Sequence, residues 1–141
     1  MFKKILLILL LVASSLVASE INWEKDYKSG IKNAQAQNKP VFFIISKSTC
    51  PPCIRLKETT FKDEDVIEML NKNFISIISY TDKDDFIPRE LSVPYTPSLW
   101  FLKPDGEPRY EPLVGAVSAH SFLKALEIVK NDFDMKQEAA K

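Results

Sequence analysis

The stretch VFFIISKSTCPPCIRL, residues 41–56, decides the fold class and the chemistry of this 141-residue chain. Its first five residues form a continuous apolar run rich in β-favouring side chains, which predicts a strand buried on both faces. The two prolines that follow favour the first turn of a helix. Cys50 and Cys53, the only cysteines in the sequence, lie where the strand gives way to this helix.

Upstream of this stretch the pattern is helical. Asn22 is a candidate N-cap for a helix whose apolar face would carry Trp23, Tyr27, Ile31 and Ala34. Downstream, a helix capped by Asp63 precedes a second apolar run at 74–79. The order strand, helix, strand favours parallel pairing through a right-handed crossover.

The second half of the chain predicts a hairpin and a final helix. A polar loop with a short helix at 81–91 leads into a strand at 98–102. The turn at 103–107, with its proline and glycine, then sends a strand at 109–114 back antiparallel. Ser118 would cap the last helix. We expect the polar segment 134–141 to be a frayed tail. The predicted fold class is α/β, with a central mixed sheet flanked by helices.

Composition and the N-terminus restrict the possible roles. The chain has 19 basic and 19 acidic residues, which excludes a strongly basic nucleic-acid binder. Residues 1–19 have the cationic start, short apolar run and small residues of a secretory signal peptide, with an uncleaved anchor as the alternative. We therefore expect a single domain over 20–141, exported to an oxidising compartment such as a bacterial periplasm.

Two cysteines at this spacing are typical of redox chemistry. A helix N-terminus favours the thiolate, so Cys50 would be the exposed nucleophile and Cys53 the shielded thiol that resolves the mixed disulfide. A structural disulfide is a weaker explanation, because so short a loop removes only about 2 kcal/mol of unfolded-state entropy. A metal site would need further ligands, and His120 is more typical of a solvated helix start. We expect neither a metal nor another cofactor.

Neighbouring residues tune the expected redox behaviour. Pro51 and Pro52 lack an N–H, so backbone donors to the Cys50 thiolate begin only at Cys53. Fewer donors lower the thiol pKa less, which favours a reductant over a strong oxidant. Lys47 could act in the opposite direction if it faced the sulfur, although a solvated loop position is the simpler interpretation.

With these features the chain resembles the thioredoxin family. The matching elements are the strand–CPPC–helix unit, Thr96-Pro97 before a strand, and the closing hairpin and helix, which together cover residues 22–131. The similarity is greatest to the exported thioredoxin-like branch that includes the C-terminal domain of the membrane disulfide reductase DsbD. The resemblance implies that the Thr96-Pro97 bond is cis and faces the dithiol. It also implies that Thr96 offers its backbone to a bound substrate chain.

The sequence departs from the family pattern at two positions. Many members carry a buried acid six residues before the first cysteine, where this chain has Ile44, so the usual proton acceptor for the resolving thiol is missing. Lys57 and Glu58 are candidate replacements by proximity in sequence alone. Thr49 occupies the position of the family's tryptophan before the first cysteine.

The expected function is a periplasmic thiol–disulfide oxidoreductase, acting as a monomer. It would receive electrons from a membrane donor and reduce disulfides of exported proteins. Alternatives are a disulfide oxidase or isomerase, a non-catalytic binding or chaperone module with the same scaffold, and a thiol-based metal carrier.

Overall fold

The computed structural model describes residues 20–141, so the expected signal peptide at 1–19 lies outside the described residues. Across residues 20–141, four α-helices flank a four-stranded sheet. The helices are α1 (Tyr27–Gln37), α2 (Pro51–Glu58), α3 (Glu64–Asn73) and α4 (Ala119–Ala139). The strands are β1 (Val41–Ser46), β2 (Ile75–Tyr80), β3 (Ser98–Leu102) and β4 (Leu113–Val114). Short 3₁₀ helices lie at Thr60–Lys62 and Arg89–Leu91.

The sheet has the strand order β2-β1-β3-β4, which places the central strand predicted from the apolar run between two partners. β1 pairs with β2 in parallel, as the strand, helix, strand order predicted. β3 runs antiparallel to both β1 and β4, so the sheet is mixed. The fold class predicted from the sequence is confirmed.

Every residue of β1 is buried, because both faces of the sheet are covered. Phe42 and Ile44 pack into the larger apolar cluster with α2, α3 and α4, where Phe42, Phe61 and Phe122 form aromatic contacts. The alternate residues of β1, such as Phe43 and Ile45, pack into a second cluster with α1 on the other face. This two-sided burial holds the carboxyl end of β1, from which the dithiol follows, in a fixed position.

The first helix begins later than expected. Its N-cap is Asp26, whose carboxylate accepts the Ser29 N–H at 2.8 Å, and not Asn22. Trp23 lies outside the helix, where it forms a β-bridge with Ser76 and an edge contact with Phe61. The apolar spacing that included Trp23 therefore combined a helix face with a residue belonging to the opposite side of the sheet.

Two further expectations about the second half of the chain are corrected. The strand expected over 109–114 shortens to the two residues of β4, with one isolated bridge between Leu102 and Pro108. The segment 134–141 does not fray at its start, because α4 continues to Ala139. An ion pair between Lys130 and Asp134, one turn apart, supports this extension. Within residues 20–141, none of the helices has the length and apolarity that a membrane crossing requires.

Candidate functional site

Cys50 lies at the N-cap of α2, where the sequence placed it. Its sulfur accepts the backbone N–H of Cys53 at 3.4 Å. Pro51 and Pro52 occupy the first turn and offer no N–H of their own. The Cys53 amide is therefore the helix donor that reaches the sulfur, as expected from the CPPC sequence.

The antiparallel pairing of β1 with β3 brings a distant segment to this sulfur. Ile45 pairs with Ser98, so the residues just before β3 lie beside the end of β1. The Thr96-Pro97 peptide bond is cis, as the resemblance implied. The Cys50 thiol donates to the carbonyl oxygen of Thr96 at 3.4 Å. The structure thus brings Cys50, Cys53, Thr96 and Pro97 together, whereas the substrate-binding role of Thr96 stays a prediction.

The two thiols are free and differ in accessibility and in acidity. Cys50 is partly exposed, whereas Cys53 is 6% exposed. Burial acts to raise the pKa of Cys50, but hydrogen bonds from the Cys53 thiol, the Thr96 side chain and the Cys53 amide outweigh it and lower that pKa below its ordinary value. Burial raises the pKa of Cys53, and the hydrogen bond with Cys50 adds to the rise. This difference matches a nucleophile paired with a resolving thiol.

The loop between β1 and α2 is held by a residue that the sequence did not single out. Both carboxylate oxygens of Asp82 accept the Ser48 N–H, at 3.0 and 3.1 Å. These hydrogen bonds lower the pKa of Asp82. Lys47 is exposed in the same loop and contributes a small favourable charge to the Cys50 thiolate. Both sequence interpretations of Lys47 are therefore partly right: it is solvated, and it acts on the sulfur from a distance.

Cys53 also lines an open cleft of about 720 Å³. Lys57 and Glu58, the candidates by sequence proximity, both line this cleft as exposed side chains. Ile44 lies on its floor, so no acid occupies the family's usual position. Ser46 also lines the cleft and is 5% exposed. Sequence reasoning missed Ser46, although its position two residues after Ile44 in a strand places it on the same face.

The described residues offer little for a metal. No group of three or more histidine, cysteine, aspartate or glutamate side chains within 20–141 is placed to hold one. His120 lies exposed in the first turn of α4, next to the cap formed by Ser118. The chemistry of this site therefore depends on its two sulfurs and their hydrogen-bond partners.

Comparison with known proteins places these features in context. The family model described as a thioredoxin-like domain matches residues 27–130. Among curated relatives, Spermatogenesis-associated protein 20 of Rattus norvegicus is 31% identical over 58 residues, covering 41% of this chain and 7% of that protein. Anterior gradient protein 2-B of Xenopus laevis is 29% identical over 103 residues, covering 72% of this chain and 60% of that protein. The chain thus spans less than two thirds of either relative.

Solved structures agree on the fold. DsbH oxidoreductase superposes with a TM-score of 0.68 at 13% identity, covering 84% of this chain and 90% of that one. The C-terminal domain of Neisseria meningitidis DsbD in its oxidised form gives 0.57 at 20% identity, covering 71% and 89%. A putative disulphide-isomerase from Bacteroides thetaiotaomicron gives 0.66 at 28% identity, covering 79% and 94%. The sequence-based resemblance to this group is confirmed.

Proposed function

Because the chain belongs to the thioredoxin-like domain family, we propose that it reduces disulfides of exported proteins through Cys50 and Cys53. The fold together with the cysteine pair supports a thiol–disulfide oxidoreductase in general. The observation that carries the proposal is the position of the Cys50 sulfur, 3.4 Å from both the Cys53 amide nitrogen and the Thr96 carbonyl oxygen. This position supports the proposal because the expected nucleophile, the expected resolving thiol and the backbone that the resemblance assigns to a substrate chain lie next to one another.

The reaction follows from the two thiols in sequence. The Cys50 thiolate attacks one sulfur of a substrate disulfide, and the other substrate sulfur leaves as a thiolate. The Cys53 thiolate then attacks Cys50, releasing the second substrate sulfur and closing the Cys50–Cys53 disulfide. The substrate gains two electrons and the dithiol loses them. A membrane donor would return the protein to its reduced form.

The reducing direction is supported by the small number of groups that stabilise the Cys50 thiolate. One helix N–H reaches the sulfur, and Lys47, the cationic side chain that favours the thiolate, is exposed and acts weakly. A strong oxidant needs a reduced form that is stabilised far more. We therefore expect a reduction potential near that of a thioredoxin, about −270 mV, and not near about −120 mV, the value for a strong oxidant. A potential at the oxidising end would replace the reductase with a disulfide oxidase.

A periplasmic setting is the second half of the proposal. It is supported by the signal-peptide pattern at 1–19, since export would place a dithiol among disulfide-bonded proteins. The substrates would be exported proteins with accessible disulfides. Neither nucleic acid nor a bound cofactor is needed for this reaction.

Trapping of partners tests the function most directly. Cys53→Ser should accumulate mixed disulfides through Cys50, because the resolving attack is lost. Cys50→Ser is the matched control and should trap nothing, although it keeps one thiol. Captured exported proteins, together with one membrane protein on the donor side, would support the proposal. If neither variant captures partners while the wild type still binds unfolded chains, a non-catalytic binding module is favoured instead.

A further inference from the structure

The resolving thiol needs a route for its proton that the missing acid cannot provide. Ile44 occupies the position of that acid and is 1% exposed on the floor of the cleft beside Cys53. Apart from Cys53, the polar residues of the cleft are exposed or half-buried at its rim, with one exception. Ser46 is the buried polar side chain among the described residues that line it.

Strand geometry places Ser46 close to Cys53. Side chains alternate along β1, so Ser46 faces the same side of the sheet as Ile44 and lies one strand repeat nearer to the dithiol. The pairing of β1 with β2 sets Ser46 beside Tyr80 and Ile44 beside Ile78, and all four line the cleft. The backbone carbonyl of Ser46 accepts the Thr81 N–H at 2.9 Å, which fixes the end of the strand. The hydroxyl therefore sits on a rigid element.

From this placement we propose that the Ser46 hydroxyl donates a hydrogen bond to the Cys53 sulfur as this sulfur becomes the resolving thiolate. Ser46 thereby acts as a positioning residue that substitutes in part for the missing acid. The inference rests on the proposed dithiol function and deepens it. A hydrogen bond from Ser46 favours the Cys53 thiolate and opposes the rise in pKa that burial causes.

The resolving step, in which Cys53 loses its proton and attacks Cys50, needs no protein side chain as a base. The Cys53 thiol releases its proton to water in the open cleft, and the Ser46 O–H then points at the new sulfur anion. This thiolate attacks Cys50, the bond between Cys50 and the substrate sulfur breaks, and the departing thiolate takes a proton from solvent. Serine keeps its own proton throughout, since a hydroxyl is far too weak a base to hold the thiol proton.

Other charged side chains line the same cleft as Cys53 and could stabilise its thiolate in place of Ser46. The rim carries four lysines and two glutamates, of which Glu58 is the one carboxylate on the same helix as Cys53. The full set is Glu20, Lys47, Lys57, Glu58, Lys62 and Lys83, with the half-buried phenol of Tyr80. All six charged residues are exposed, so water and salt screen them. The buried hydroxyl is screened least.

An isosteric pair of variants isolates the hydroxyl: Ser46→Thr keeps it, and Ser46→Val replaces it with a methyl group of the same shape. The reduced proteins are mixed with dithiobis-nitrobenzoate in a stopped-flow instrument. Release of the first thionitrobenzoate reports attack by Cys50, and release of the second reports attack by Cys53 on the mixed disulfide. The pH profile of each phase is recorded.

We expect the second phase of Ser46→Val to have its midpoint about one pH unit higher than that of Ser46→Thr. A thiolate that is less stabilised is also more nucleophilic, by about threefold per pKa unit. The valine variant should therefore be about threefold slower at neutral pH and faster above its midpoint, so that the two profiles cross. The first phase should agree between the two variants within about twofold. A merely structural role would not produce a crossing confined to the second phase.

Ser46→Ala provides the same comparison without added volume. Its matched control is Ser76→Ala, which removes another buried hydroxyl from the sheet, one without a hydrogen-bond partner in the described part of the chain. Equal second phases in the Val and Thr variants, or in Ser46→Ala and Ser76→Ala, would overturn the inference. So would a loss of the second phase in Glu58→Gln alone. The reagent reports both thiols whether or not exported proteins are the substrates, so failure here is distinct from failure of the proposed function.

Discussion

The Cys50 thiol at the N-cap of α2 must become a thiolate to react, whereas the Asp132 carboxylate on α4 is charged in the folded protein, and the surroundings of the two groups differ. Hydrogen bonds from a backbone amide and neighbouring neutral groups favour the Cys50 thiolate, and the cation that acts on it, Lys47, is exposed. Asp132 accepts from Tyr110 Oη at 2.6 Å and from Arg109 Nε at 2.7 Å, with Lys136 3.6 Å away. The Tyr110 hydrogen bond and the Arg109 guanidinium lower the pKa of Asp132 to about 2.

The difference shows how one chain separates reactivity from anchoring. A fixed cation beside Cys50 would stabilise its thiolate. Cys50 would then be a better leaving group, and the dithiol would be a weaker reductant. Around Asp132 the same kind of pairing is useful, because it joins the segment between β3 and β4 to the last helix. The Cys50 thiolate, which forms and disappears during the reaction, is stabilised mainly by neutral dipoles. The Asp132 carboxylate, which stays charged, is paired with the Arg109 cation.

Loss of the Cys50 thiol should abolish nearly all activity. Cys50→Ser should reduce disulfide-reductase turnover by about a thousandfold or more, as for other enzymes that lose their nucleophile. Turnover is measured by following the reduction of a protein disulfide. Asp132→Asn is the control and should keep wild-type turnover. Comparable losses in the two variants would show that the anchoring region is part of the catalytic unit.

Removal of the Arg109 guanidinium tests whether its pairing with Asp132 stabilises the fold. Arg109 is 13% exposed, and its Nε donates to Asp132. Arg109→Ala should lower the free energy of unfolding by about 1.5–3 kcal/mol, the usual range for hydrogen bonds to charged groups. Denaturant melts provide the measurement, with reductase turnover per folded molecule expected to stay unchanged. Unchanged stability would mean that the ion pair only offsets its own desolvation.

Low pH should weaken the interaction of Asp132 with Arg109 and Tyr110 and so lower the stability of the fold. The folded pKa of Asp132 is about 2, below its ordinary 3.8, so its contribution to stability is fully present above pH 3.8 and is lost as the pH falls toward 2. Wild type should therefore lose more stability than Asp132→Asn across this window. Thermal melts at a series of pH values measure the difference. Parallel curves for the two proteins would rule out Asp132 as a source of the acid sensitivity.

Loss of the Lys47 charge should change the reactivity of Cys50 only slightly. Lys47→Met should slow alkylation of Cys50 by about two- to threefold near neutral pH, because exposed charges interact by only about 0.2–1 kcal/mol. Iodoacetamide labelling of the reduced protein measures this, and added salt should reduce the difference between the two proteins. Lys39→Met, a lysine remote from the dithiol in sequence, is the control. A tenfold effect would instead assign Lys47 a direct contact with the thiolate.

The sequence predicted the elements whose patterns are local and missed those decided by distant contacts. The buried strand predicted at 41–45, the cap at Cys50 and the cap at Ser118 depend on neighbouring residues, and all three were found, the strand with Ser46 added. Trp23 fitted a helical spacing, but its packing against Phe61 draws it to the sheet. No local pattern distinguishes these two outcomes.

The candidate site shows the same division. The dithiol and the Thr96-Pro97 segment were recognised as motifs. Ser46 and Asp82 were not, because a serine that ends a strand and an aspartate in a polar loop have many ordinary explanations. Their relevance appears only when the cleft beside Cys53 and the hydrogen bonds to Ser48 are seen. The strand expected at 109–114 shortened because prolines at 108 and 112 cannot donate to a sheet.

The contact between Cys50 and Thr96 joins residues 46 positions apart. A ribosome therefore delivers both cysteines, and the whole parallel pair of strands, well before the carbonyl that would receive a client peptide. The folded arrangement of the site therefore depends on β3, which follows β1 and β2 in the chain and pairs with β1 beside the dithiol.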